Sequence, residues 1–173
     1  GYSGTDWSGT GILLFESGDV TMNEDEVHHC ESGINYSDWR WVYSHPVPVN
    51  LSLNDLNLHD NEWSLGTQLS GDQSDLNIEV INSSITNSTN DGIDLWGSGM
   101  DPWGGVYYAG WSNGDLNATI TDCVISDTGA GYDGLWTGDL SGNANNASVE
   151  VHGTSFANNG NSAINNDFPT AQV

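Results

Sequence analysis

Carboxylates dominate the polar chemistry of this chain. Among 173 residues, 24 Asp plus Glu stand against a single arginine, Arg40, and no lysine, for a net charge of −23. Carboxylates do three kinds of work: they hold hard cations such as Ca²⁺, act in pairs in acid–base hydrolysis, and satisfy backbone groups at turns. The stretch Asn90-Asp91-Gly92-Ile93-Asp94 sets two of them three residues apart around a glycine. Glycoside hydrolysis with inversion needs a second carboxylate region across the scissile bond, with room for water. The bland reading is a turn, because Asp-Gly suits one. His28-His29-Cys30, with Met22 nearby, offers ligands for copper. Adjacent histidines, however, point to opposite sides of an extended chain, and a polar segment with one buried cysteine accounts for them. There is no Cys-x-x-Cys, no zinc-finger spacing and no twelve-residue EF-hand loop, and Cys30 and Cys123 are too few for a disulfide scaffold.

Aromatic side chains supply a second kind of chemistry. The chain holds eight tryptophans, and most fall outside the apolar repeats described below. Trp39 and Trp41 lie in the segment 35–50, and Trp103, Tyr107 and Trp111 in the glycine-rich segment 96–113. Such rings can pack on the C–H faces of sugars while neighbouring Asp and Asn bind the hydroxyls. These five are the candidate carbohydrate-binding residues. Equally, such loops can pack a satellite core or seal a subunit interface.

The charge balance excludes whole classes of partner. Nucleic acid and anionic lipid surfaces need Lys and Arg to replace counterions, so neither is expected. No apolar run reaches 18 residues, so no membrane-spanning helix is expected. Six sequons, at Asn35, Asn50, Asn82, Asn87, Asn117 and Asn146, match the N-glycosylation pattern and point to an extracellular or cell-surface location. The richness of the chain in Asn, Ser and Thr supplies some such matches without selection.

The elements that position these groups emerge from an internal repeat. Apolar residues recur at i, i+2 and i+7 in five copies: Val20, Met22, Val27; Leu51, Leu53, Leu58; Ile78, Val80, Ile85; Ala118, Ile120, Ile125; and Val149, Val151, Phe156. Successive copies are offset by 31, 27, 40 and 31 residues. Each is followed by one more apolar residue, namely Ile34, Leu65, Ile93, Leu135 or Ile164, and Ile12 looks like the tail of an earlier copy. Residues at i and i+2 face one side of a strand. A corner follows, a second short strand points its apolar residue inward, and a glycine such as Gly33, Gly92 or Gly134 allows another corner by positive φ or close backbone approach. One copy cannot bury its apolar face alone; stacked copies can.

The segments 75–95, 115–135 and 146–164 resemble coils of the right-handed parallel β-helix proteins, the pectate-lyase-like superfamily, as in Ile78-Glu79-Val80-Ile81-Asn82-Ser83-Ser84-Ile85 followed by Asn90-Asp91-Gly92-Ile93. The resemblance implies an all-β solenoid of about five coils, with long aromatic-rich outward loops, over the single domain 1–173, either whole or cut from a longer protein. Functionally it is nearly silent, because that fold hosts lyases, hydrolases, adhesins and surface-layer proteins. Asn90-Asp91-Gly92-Ile93-Asp94 is similar to the Asn-Thr-Asp-Gly-Ile-Asp stretch of polygalacturonases, but their Asp-Asp pair, Gly-His-Gly and Arg-x-Lys are missing. Lyases of this fold use Arg or Lys as base, and only Arg40 is present. The chain therefore reads as a structural or adhesive module rather than an enzyme, with no required cofactor. Its expected partners are like subunits or other surface proteins at the solenoid ends, with glycans as further candidates. A carbohydrate-binding or carbohydrate-cleaving β-helix is the alternative.

Two consequences of the repeat can be checked. Glu24, Asp55, Asn82 and Asp122, each two residues after the second apolar position, should form a column about 4.8 Å apart. They are the candidate Ca²⁺ ligands, with a solvated turn column as the simpler reading. Cys30 and Cys123 fall three coils apart, roughly 14 Å, and should not be bonded to each other.

Overall fold

The computed structural model describes residues 9–15, 18–38, 48–69, 75–96, 116–138 and 147–166. The strands are β1 (Thr10–Phe15), β2 (Val20–Asn23), β3 (Glu26–His28), β4 (Ser32–Asp38), β5 (Val49–Asn54), β6 (Asn57–His59), β7 (Trp63–Leu69), β8 (Leu76–Ile81), β9 (Ser84–Thr86), β10 (Ile93–Trp96), β11 (Leu116–Thr121), β12 (Val124–Ser126), β13 (Leu135–Gly138), β14 (Ala147–His152), β15 (Ser155–Ala157) and β16 (Ile164–Asn166). Every third strand pairs in parallel with the next. Sheet I is β2-β5-β8-β11-β14, sheet II is β3-β6-β9-β12-β15, and sheet III is β1-β4-β7-β10-β13-β16. The chain is a parallel β-helix of about five coils.

The apolar repeat sets the register. Val20, Leu51, Ile78, Ala118 and Val149 lie side by side along sheet I, and Met22, Leu53, Val80, Ile120 and Val151 form the next column. Val27, Leu58, Ile85, Ile125 and Phe156 stack on sheet II. Ile12, Ile34, Leu65, Ile93, Leu135 and Ile164 stack on sheet III. Leu53, Leu58, Ile85, Ile93 and Leu135 have no exposed surface. Burying each such side chain contributes about 1.5–3 kcal/mol. A further inward column at the start of sheet I, Val49–Leu76–Leu116, extends the core beyond the repeat.

Corners are made by single left-handed residues. Between sheets I and II they are Glu24, Asp55, Asn82, Asp122 and Gly153, with φ of 58°, 54°, 49°, 53° and 59°. Between sheets II and III they are His29, Asp60, Asn87, Asp127 and Asn158, with φ of 57°, 55°, 55°, 59° and 54°. Asp and Asn tolerate this region better than other non-glycine residues, which explains their recurrence. The glycines before sheet III act by close approach instead. A Cβ on Gly92 would lie 2.8 Å from the Gly134 carbonyl oxygen, and one on Gly134 would lie 2.7 Å from that of Ala163.

At several corners the residue after the left-handed one carries a polar side chain that turns inward and closes the gap in the ladder. Ser83 Oγ accepts the Leu56 amide at 3.1 Å and donates to the Ile81 carbonyl at 2.8 Å. Thr154 Oγ1 accepts the Cys123 amide at 3.2 Å. At the second corner Asn61 Oδ1 accepts the Cys30 amide at 3.0 Å, while its Nδ2 donates to the Val27 carbonyl at 3.0 Å. Both cysteines are free, and they stand on different corners. Burial pushes the Cys123 thiol up, so it stays protonated as a core side chain.

Candidate functional site

Glu24, Asp55, Asn82 and Asp122 form the expected column, and all four are exposed. Their backbone amides bond the next coil: Glu24 to the Asn54 carbonyl, Asp55 to Ile81, Asn82 to Thr121 and Asp122 to His152, at 2.8–3.1 Å. The left-handed backbone accounts for Asp and Asn here without an ion. Asn82 also divides the carboxylates. It places the backbones of Asp55 and Asp122 two strand spacings apart, roughly 9.6 Å. Among the described residues no group of three or more His, Cys, Asp or Glu is arranged to hold a metal ion.

A second corner cluster escaped the sequence reading. On the outer face of sheet II the His28 and His59 rings stack, 5.0 Å between centroids and 8° from parallel. His59 Nδ1 lies 2.7 Å from Asp60 Oδ2, and its Nε2 lies 3.0 Å from Glu26 Oε1 on the preceding coil. His28 Nδ1 and His29 Nδ1 are 2.6 Å apart. The bond to Asp60, then that to Glu26, holds the His59 pKa above its ordinary value; the same bonds hold both carboxylates below theirs. Cys30 takes no part: its Sγ bonds the His28 carbonyl at 3.3 Å and would meet a Cβ on Gly11 at 3.0 Å. The signal for this corner was in the sequence, since His29, Asp60, Asn87, Asp127 and Asn158 each stand two residues after the third apolar position.

Asp91 and Asp133 serve the backbone. Asp91 Oδ1 accepts the Asp133 amide at 2.6 Å. On the next coil Asp133 Oδ1 accepts the Ser162 amide at 2.8 Å and Asn161 Nδ2 at 2.9 Å, and its Oδ2 accepts Asn165 Nδ2 at 3.0 Å. Burial, augmented by the Asp133 charge, raises the Asp91 pKa. The Asp-Gly steps at 91–92 and 133–134 are thus corner devices repeated on successive coils. Asp94 stands on the outward face of sheet III, in register with Gly66 and Trp136.

The sequons fall into distinct settings. Asn50, Asn77 and Asn117 form an outward ladder on sheet I: Asn117 Nδ2 donates to Asn77 Oδ1, Asn77 Nδ2 to Asn50 Oδ1, each at 3.0 Å, and Asn50 Nδ2 to Asp19 Oδ1 at 2.9 Å. Asn35 faces outward on sheet III, while Asn82 and Asn87 occupy the two corners. Asn146 and all five aromatic candidates, Trp39, Trp41, Trp103, Tyr107 and Trp111, lie outside the described residues.

No family model matches the chain, and no curated protein or solved structure matches it.

Proposed function

We propose that the chain is an extracellular structural or adhesive module, a right-handed β-helix of the pectate-lyase-like kind, exported, glycosylated and built into a cell-surface or filamentous assembly. One observation carries this reading, the gradient of burial along the solenoid. Leu51, Leu53, Ile78, Val80 and Ile120 are 0–2% exposed. Ile12, Leu14 and Val20 toward one end, and Val151, Phe156 and Ile164 toward the other, are only partly buried. The first and last described coils each present a partly buried apolar face, which strand-on-strand addition would cover. Like subunits or other surface proteins are the partners of this reading. Repulsion between such acidic chains is moderated by salt, and Ca²⁺, where it binds, bridges Glu24 and Asp55. Nucleic acid and membrane insertion have no place in it, and of the two carboxylates that suggested hydrolysis Asp91 holds a corner amide, that of Asp133.

Sedimentation velocity of the 173-residue chain tests the proposal. Association that grows with concentration, and with salt or Ca²⁺, is the expected result; a monomer under every condition contradicts it.

The carbohydrate-binding reading draws on one topological fact. Segments 39–47 and 97–115, which hold the aromatic candidates, both join the end of a sheet III strand to the start of a sheet I strand. Titration with neutral and acidic glycans, read by tryptophan fluorescence, separates the two readings.

A further inference from the structure

Five of the six sequon asparagines lie among the described residues; three of their carboxamides are hydrogen-bonded, and a fourth, that of Asn35, has its oxygen buried. Asn50 and Asn117 are rungs of the sheet I ladder, each donating through Nδ2, the atom that a glycan would occupy. Asn35 keeps its Oδ1 sealed from solvent between Leu13 and Gly66 in the register of sheet III. Asn87 hydrogen-bonds the Asp60 carboxylate on the preceding coil.

Asn82 differs. Its left-handed backbone, φ 49°, places it at the convex corner between sheets I and II, and its amide is held by the Thr121 carbonyl at 3.0 Å. The residue is exposed, and its side chain makes no hydrogen bond to another described residue. Its sequon hydroxyl, Ser84, stands half-buried on the outer face of sheet II, beside Asn57 and Val124. The column neighbours Asp55 and Asp122 flank it at one strand spacing, about 4.8 Å. The Asp122 carboxylate leans over Gly153 on the following coil, where a Cβ would meet its Oδ1, and so lies away from Asn82.

We infer that Asn82 is the position at which the folded coil carries a covalent N-linked glycan. The inference rests on the exported, glycosylated reading above. The donor class is a saccharide linked through phosphate to an isoprenoid lipid. The Asn82 Nδ2–C1 bond forms as the C1–O bond to the donor breaks; the lipid phosphate leaves with the electron pair, and the Nδ2 proton passes to a base of the transferase. A glycan here removes Asn82 from any cation column and leaves the Asn50–Asn77–Asn117 ladder intact.

The test is site occupancy in the full chain, secreted behind a cleavable leader from a host that performs N-glycosylation. Peptide mass spectrometry after enzymatic release in ¹⁸O water reads each sequon. Asn82 is expected to carry most of the glycan. Asn82→Gly, which keeps the corner as Gly153 does, and Ser84→Ala, which keeps Asn82, should each lower the intact mass by one glycan, whereas Asn50→Gln and Asn117→Gln leave it unchanged. A glycan on another sequon with Asn82 bare overturns the inference alone. A secreted product bare at all six overturns the glycosylated reading together with it.

Discussion

His59 reaches along the solenoid axis to Glu26, its Nε2 3.0 Å from Oε1 on the preceding coil, while Nδ1 engages Asp60 on its own coil. Among the described residues, which include neither Lys nor Arg, this is the cross-coil ion pair that protonation creates. Its pH dependence follows from the directions of the three shifts. His59, raised above 6.5, contributes fully below that value, and the contribution is lost as pH rises through the folded pKa. Glu26 and Asp60, lowered from 4.5 and 3.8, contribute fully above those values and lose their contribution as pH falls through the folded ones. The trio therefore helps most between about pH 4.5 and 6.5. Melting temperature should fall between pH 6 and pH 8 more steeply in the parent than in His59→Gln. Parallel curves would show that the contact is too exposed to matter.

Core columns should behave additively by coil. Ile85→Ala removes a fully buried side chain that stacks on Leu58 and Ile125. A loss of about 2–5 kcal/mol is expected in denaturant titration. A loss below about 1 kcal/mol would mean that Ile85 does not face a packed interior.

Corner conformation is separable from corner charge. Asp122→Val forces a β-branched residue to φ near 53°, and should cost about 1–2 kcal/mol. Asp122→Gly should cost little, because Gly153 holds the same place on the next coil. If the two variants are equally destabilised, the Asp122 side chain and not its backbone is what the corner needs.

Ser83 is the buried cap of the first corner, and Ser83→Ala strands the Leu56 amide that its Oγ accepts. The expected cost is about 1–3 kcal/mol, with Ser83→Thr close to neutral in chemistry though not in volume. Equal stability of parent and Ser83→Ala in thermal melts would assign that amide another partner.

These cases show what was legible in advance. The apolar columns were, because the path from sheet I through sheet II to sheet III keeps a nearly constant length, and inward residues alternate along each strand. The chemical reading of the acids went less far: periodicity placed Glu24, Asp55, Asn82 and Asp122 in one column, but their shared cause, a left-handed backbone, is conformational. The matching column from His29 to Asn158 stands at a fixed distance from Val27, Leu58, Ile85, Ile125 and Phe156, but its residue types, His, Asp and Asn, share no side-chain chemistry, only a left-handed backbone. Ser83 and Asn61 could not be foreseen, since a buried polar residue is justified only by the gap in the ladder it fills. The Asp91-Gly92 step suited a turn as well as it suited catalysis, and the bonds from the Asp133 amide to Asp91 and from the Ser162 amide to Asp133 show what its carboxylate and the next coil's do for the backbone.

End-to-end stacking in register is the central claim, and cysteine pairing tests it most directly. On sheet III, Leu13, Asn35, Gly66, Asp94, Trp136 and Asn165 form one outward column, with Leu13 and Asn165 on its outermost strands, β1 and β16. A second copy that continues the column sets its Leu13 beside Asn165 of the first at about 4.8 Å, within disulfide reach. In a Cys30→Ser background, Leu13→Cys and Asn165→Cys chains are mixed under mild oxidation. The account predicts mixed disulfide dimers that form faster as concentration and salt rise. Chains that stay uncrosslinked at every concentration, while sedimenting as monomers, would contradict it.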